Sequence, residues 1–130
     1  MYAMTDGSPL PLALAQANQR ELIESAYAGA VTADVSFTTG AGVTKIYQAD
    51  ADSQSSLKDA LIGFTPAGAT PSGFYWRSLD NTNVPFTLAD LQGLAQAMIS
   101  QGWAAFQKRI NLLAQIAAAT TTSQVESITW

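Results

Sequence analysis

The chain has 130 residues, 48% of them apolar and only 12% charged, carries a net charge of −4, and contains neither cysteine nor histidine. That length suits one domain with its own core, while the missing thiols and imidazoles exclude disulfides, Ser-His and Cys-His catalysis and the main zinc-ligand sets. The cations Arg20, Lys45, Lys58, Arg77, Lys108 and Arg109 are scattered, so nothing forms a stripe to follow a nucleic-acid backbone, and a charged fraction about half the usual one points to a surface covered by partners.

Residues 1–13 read as an N-terminal arm, opened by the turn formers Asp6-Gly7-Ser8-Pro9. No cationic segment precedes the apolar stretch 10–17, which Pro11 interrupts, so a secretory leader is not expected. No apolar run approaches the roughly 20 residues that span a bilayer, and no membrane insertion is expected. Residues 14–130 are expected to form a single domain.

Strong helix formers with Leu14, Asn18, Leu22 and Ala26 at spacing four, and Ile23 and Tyr27 beside them, predict an amphipathic helix over 12–28. Gly29 reads as its stop. Alternation of Val31, Ala33, Val35 and Phe37 with polar residues predicts a strand over 31–37, which Gly40-Ala41-Gly42 turns into a second strand over 43–47. A short helix over 54–63 follows, capped by Asp52 or Ser53, with Leu57, Leu61 and Ile62 on one face. After a loop over 65–73, the aromatic run 74–79, the turn Asp80-Asn81-Thr82-Asn83 and the return 84–86 make a second hairpin, edge-like at Pro85.

Thr87-Leu88-Ala89-Asp90 is a capping box with Asp in place of Glu. It opens a helix of about 30 residues, roughly 45 Å long. Within it Gly102 is a candidate kink. Its stripe of threes and fours, Trp103, Phe106, Ile110 and Leu113, is the expected core face. The Ala-rich end, 114–119, is expected to pack on the first helix, with zipping to a partner helix as the alternative. Ser123-Gln124-Val125-Glu126 is a second candidate capping box, after which Ile128 and Trp130 alternate like a closing strand, with Trp130 folded onto the domain. The fold class is therefore α+β: a leading helix, two β-hairpins with a short helix, a long C-terminal helix and a closing segment.

Without histidine or cysteine, only carboxylates are left for chemistry. Asp50, Asp52 and Asp59 suggest a cation site or an acid/base pair, but the oxygen donors, glycine and terminal Glu of a calcium loop are missing, and helix capping is favoured. Tyr75, Trp76, Asp80 and Asn81 are the candidate contact residues for a partner or a glycan, because aromatic faces stack on sugar rings while carboxylate and amide bond hydroxyls. The competing reading makes Asp80-Asn81 a simple hairpin turn. Gly40-Ala41-Gly42 lacks the Lys-Ser/Thr of a phosphate loop.

In order along the chain stand Arg20-Glu21, Tyr47-Gln48-Ala49-Asp50, Ser53, Trp76, Asp80-Asn81, Val84-x-Phe86-Thr87, Ala89-Asp90-Leu91, Ile110, Ile116-Ala117-Ala118-Ala119-Thr120 and Val125-Glu126-Ser127-Ile128-Thr129-Trp130. This pattern, over residues 15–130, resembles a small domain of uncharacterised function found in bacteriophage tail-fibre and tail-assembly proteins. The resemblance implies a non-enzymatic structural component of a phage tail, made in the host cytoplasm and resident in the virion tail, with fibre or baseplate subunits as partners. Two other roles are an assembly chaperone and a receptor- or glycan-binding tip; self-association into a homo-oligomer is a further expectation, and no cofactor or metal is expected.

Overall fold

The computed structural model describes residues 10–130; the first nine, and with them most of the expected arm, lie outside the described residues. Its elements are α1 (Leu12–Ala30), β1 (Val35–Thr38), β2 (Thr44–Tyr47), α2 (Ala51–Phe64), β3 (Tyr75–Arg77), β4 (Asn83–Pro85), α3 (Leu88–Ala118) and α4 (Thr122–Glu126). The class is α+β, as expected. The described residues gather into two compact units, Val31–Gly102 and the chain up to Ala30 with Trp103–Trp130. The division follows two separate clusters of buried side chains.

In the unit Val31–Gly102, two antiparallel hairpins pair Val35 with Tyr47 and Trp76 with Val84. The first strand is shorter than its alternation predicts, because 31–33 form turn and bend and, of its alternating apolar residues, only Val35 is buried. Gly42, at φ 89°, supplies the left-handed residue that closes the first turn. Neither two-stranded ribbon is stable alone, and both are covered by α2 and the first half of α3. Tyr47, Leu91 and Leu94 are fully buried at the centre, with Val35, Leu57, Val84, Phe86 and Met98 around them. The α2 helix starts three residues earlier than expected: Asp50, rather than Asp52 or Ser53, is the N-cap and accepts the Ser53 amide at 3.0 Å. Ile62, expected on its inner face, is exposed.

The capping box at α3 is formed reciprocally. Asp90 donates its amide to the Thr87 hydroxyl at 3.2 Å, and its carboxylate accepts the Thr87 amide at 2.9 Å. A third bond, from the Gly40 amide at 2.9 Å, ties the first hairpin turn to the helix start. Gly93, one turn on, lets the Phe37 ring lie against the helix backbone: an added Cβ would sit 2.6 Å from Phe37 Cε1.

In the other unit, α1 runs through Gly29 to Ala30, and its inward face is Ala15, Gln19 and Ile23, one residue removed from the expected Leu14–Asn18–Leu22 stripe. Leu22 is exposed. Ile116 and Val125 complete the core, with Leu112, Leu113, Ile128 and Trp130 packed at its margin. The Ala-rich end of α3 packs on α1, as expected, and Gln16 donates to the Ile116 carbonyl at 3.0 Å. Buried Gln19 satisfies its amide on the Ile128 carbonyl at 2.7 Å. The last capping box is Thr121 with Gln124, two residues before the expected Ser123 and Glu126. The closing segment is not a strand, yet Trp130 folds back as anticipated, 6.5 Å from Tyr27 and under the Lys108 ammonium at 4.7 Å.

The chief correction concerns α3. Trp103, Phe106 and Ile110, expected as core, are 60%, 39% and 48% exposed, and the inward positions of this stretch are Ala105 and Ile116. Leu113 is half-buried. The helix carries two apolar stripes, both spaced by threes and fours, and periodicity cannot say which one turns inward. The stripe of small and aliphatic residues packs; the aromatic one does not. The helix continues unbroken through Gly102.

Candidate interaction surface

The four candidate contact residues on the second hairpin do not assemble into one site. In β3, Trp76 turns inward and stacks on Phe86 at 6.4 Å, whereas its neighbours Tyr75 and Arg77 are exposed, as the alternation of a strand requires. Tyr75 and Trp76 therefore share no platform for a sugar ring. Asn81, at φ 63°, takes the left-handed position that asparagine tolerates in a turn, and its amide reaches the Ser78 carbonyl at 3.0 Å. Asp80 accepts bonds from Lys45 at 2.7 Å, the Ser78 hydroxyl and the Thr82 amide. These partners, Lys45 first, hold its carboxyl well below the usual carboxylate range.

The other perturbed carboxylates are occupied in the same structural way. Glu24 is lowered chiefly by its bonds from the Arg109 guanidinium, a forked pair with Nη2 at 2.8 Å. Asp50 is lowered by its cap bonds from Ser53. Burial pushes Asp90 up, but the bonds from Thr87 and Gly40 outweigh it and leave the carboxyl below its ordinary value. A general acid working near neutral pH needs the opposite shift. The Tyr47 hydroxyl is fully buried with no hydrogen-bond partner among the described residues, and burial, then the charges of Asp90 and Asp80, push its pKa up. Among the described residues, no group of three or more carboxylates is placed to hold a metal ion, and no helix is long and apolar enough to cross a membrane.

What the structure does assemble is an apolar face on the second half of α3. Trp103 and Phe106, three residues apart, stack with ring centroids 6.0 Å apart and planes at 17°. Ile110 lies one turn further on. Exposed Gln107, Asn111, Ala114 and Ala117 complete the outer side of the helix. The only ionisable side chains between Trp103 and Ala118 are Lys108 and Arg109. Both are engaged with their own unit: Lys108 lies over Trp130, while Arg109 is paired with Glu24 and lies over Tyr27 at 5.3 Å. Among the described residues, the face is left uncharged. Its residues were visible in the sequence as a stripe, but its exposure was not.

The chain belongs to a family described as a domain of unknown function, DUF4376, whose model matches residues 14–129. No curated protein and no solved structure matches it.

Proposed function

We propose that this member of the family is a non-enzymatic structural component of a bacteriophage tail, made in the host cytoplasm and built into the baseplate or fibre, where it holds other tail subunits. The exposed Trp103–Phe106–Ile110 face carries the contact role. Stacked aromatic rings are costly to leave in water, and aromatic anchors are the residues on which protein interfaces concentrate their energy. The placement in a tail rests on the likeness of the pattern Trp76, Asp80-Asn81, Val84-x-Phe86-Thr87 and Ala89-Asp90-Leu91 to the tail-fibre and tail-assembly domain. The non-enzymatic character is supported by the carboxylates, whose perturbed members are bound into caps, turns and an ion pair.

Mass spectrometry of purified particles of the phage encoding the chain tests this reading. A tail subunit appears in fixed stoichiometry. Its absence from mature particles, with presence in assembly intermediates, would overturn residence in the virion in favour of a chaperone.

A further inference from the structure

We propose that the Trp103–Phe106–Ile110 face binds a second copy of this chain, the two α3 helices packing antiparallel about a two-fold axis near Phe106. The proposal deepens the contact reading above and rests on it, naming the partner of the same face. Three observations favour a second copy over an unrelated helix.

The first is charge. Helices that select a different partner flank their apolar seam with charged residues that recognise the other chain. Here the flanks are Gln107, Asn111, Ala114 and Ala117, and the two nearby cations are bound to Trp130, Glu24 and Tyr27 within their own unit. Two copies of a chain with net charge −4 can meet at this face without bringing like charges together. The second is size complementarity. Phe106 lies near the midpoint of the triad, so an antiparallel two-fold sets the large Trp103 against the smaller Ile110 of the other copy, and Phe106 against Phe106. An isologous contact needs that self-complementarity. The spacing of three and then four is also that of a seam in which side chains interlock.

The third is area. From their exposures of 60%, 39% and 48%, the three side chains present roughly 300 Å² of surface in each copy. Together with the neutral rows beside them, two copies reach the low end of specific interfaces, about 1,200 Å² in total. Area alone does not set affinity, so the strength of the pair is read from its concentration dependence.

Sedimentation velocity of the full chain from about 1 µM to about 500 µM reads this directly. The expected result is a shift from one-copy to two-copy mass across the range. Phe106→Glu and, as a second variant, Ile110→Glu should each raise the dissociation constant more than tenfold with the helical circular dichroism unchanged. Leu22→Glu, at an exposed apolar position of α1, should leave the dimer intact. A single-copy mass at every concentration overturns the proposal, as does a dimer that survives both seam variants. The particle experiment keeps the two readings apart: a monomeric chain found stoichiometrically in tails sinks the second copy but not the tail role, and a dimeric chain missing from tails sinks residence in the tail but not the second copy.

Discussion

In the unit Val31–Gly102 the aromatic rings other than exposed Tyr75 point inward, where Tyr47 and Phe86 meet at 5.6 Å and Phe37 and Trp76 close on Phe86 at 5.8 and 6.4 Å. In the other unit the fully packed residues are Ala15, Ile23, Ile116 and Val125, and the stacked pair Trp103–Phe106 lies outside. Bulky rings fill the core between the hairpins and their helices, whereas small and aliphatic side chains fill the core where helix packs on helix. Aromatic residues placed on such a helix are therefore surplus to its core and free to serve contacts. The difference teaches that the same residue type holds the fold in one unit and, on the second half of α3, faces outward in the other, where, of the described aromatic residues, Trp130 alone packs on the core.

The largest expected effect is on the inward aromatics. Phe86→Ala should lower unfolding stability by about 3–5 kcal/mol, since Phe86 is 3% exposed and touches three other rings. A loss below about 1 kcal/mol in denaturant unfolding would remove the aromatic cluster from the role assigned to it. Asp90→Ala comes next, at about 2–3 kcal/mol, because it removes the α3 cap and strands the Gly40 and Thr87 amides. The sign of its pH dependence is fixed. The folded carboxyl lies below its ordinary value of 3.8, so its contribution is fully present above that pH and is lost as pH falls through the folded value. Wild-type stability should drop below about pH 4 more steeply than that of the variant. Parallel acid limbs would refute the assignment.

Gly93→Ala tests how tightly that cluster is built. Alanine favours a helix over glycine by about 1 kcal/mol, yet the new Cβ would meet Phe37 Cε1 at 2.6 Å and Cζ at 2.8 Å. The ring cannot swing freely, because Tyr47 and Phe86 pack against it. Overpacking should win by about 1–2 kcal/mol net, and a stabilised variant in thermal unfolding would show the cluster to be looser than drawn.

Local chemistry made much of this fold legible from residues alone. The order of helices and hairpins follows from period and turn residues, and the Thr87–Asp90 box was readable because its partners are three residues apart. Bonds that close over distance were not readable. Gly40 meets Asp90 across fifty positions, and Lys45 meets Asp80 across thirty-five. Where two local solutions compete, sequence chemistry also misplaces the answer. Thr121 caps α4 although Ser123 heads an equally good box, and α1 turns Ala15 inward rather than Leu14. The candidate face was legible as a stripe, but its direction depends on neighbours: Arg109 is drawn to Glu24 and Ile116 is seated against α1, which leaves the opposite stripe outward.

The smallest expected effect sharpens the comparison most. Phe106→Ala, measured on dilute chain, should cost less than about 1 kcal/mol, since the ring is 39% exposed and its stacking on Trp103 is a contact three residues apart on one helix, the kind worth a few tenths of a kcal/mol. Set beside Phe86→Ala, the same deletion of a phenyl ring should thus differ at least threefold in its cost to folding. The order should reverse for association: in sedimentation at high concentration Phe106→Ala should weaken two-copy mass, while milder changes confined to the other unit, such as Gly93→Ala, should not. If Phe106→Ala instead costs as much as Phe86→Ala, the α3 stripe belongs to the core after all, and the contrast between an inward-facing and an outward-facing aromatic set fails.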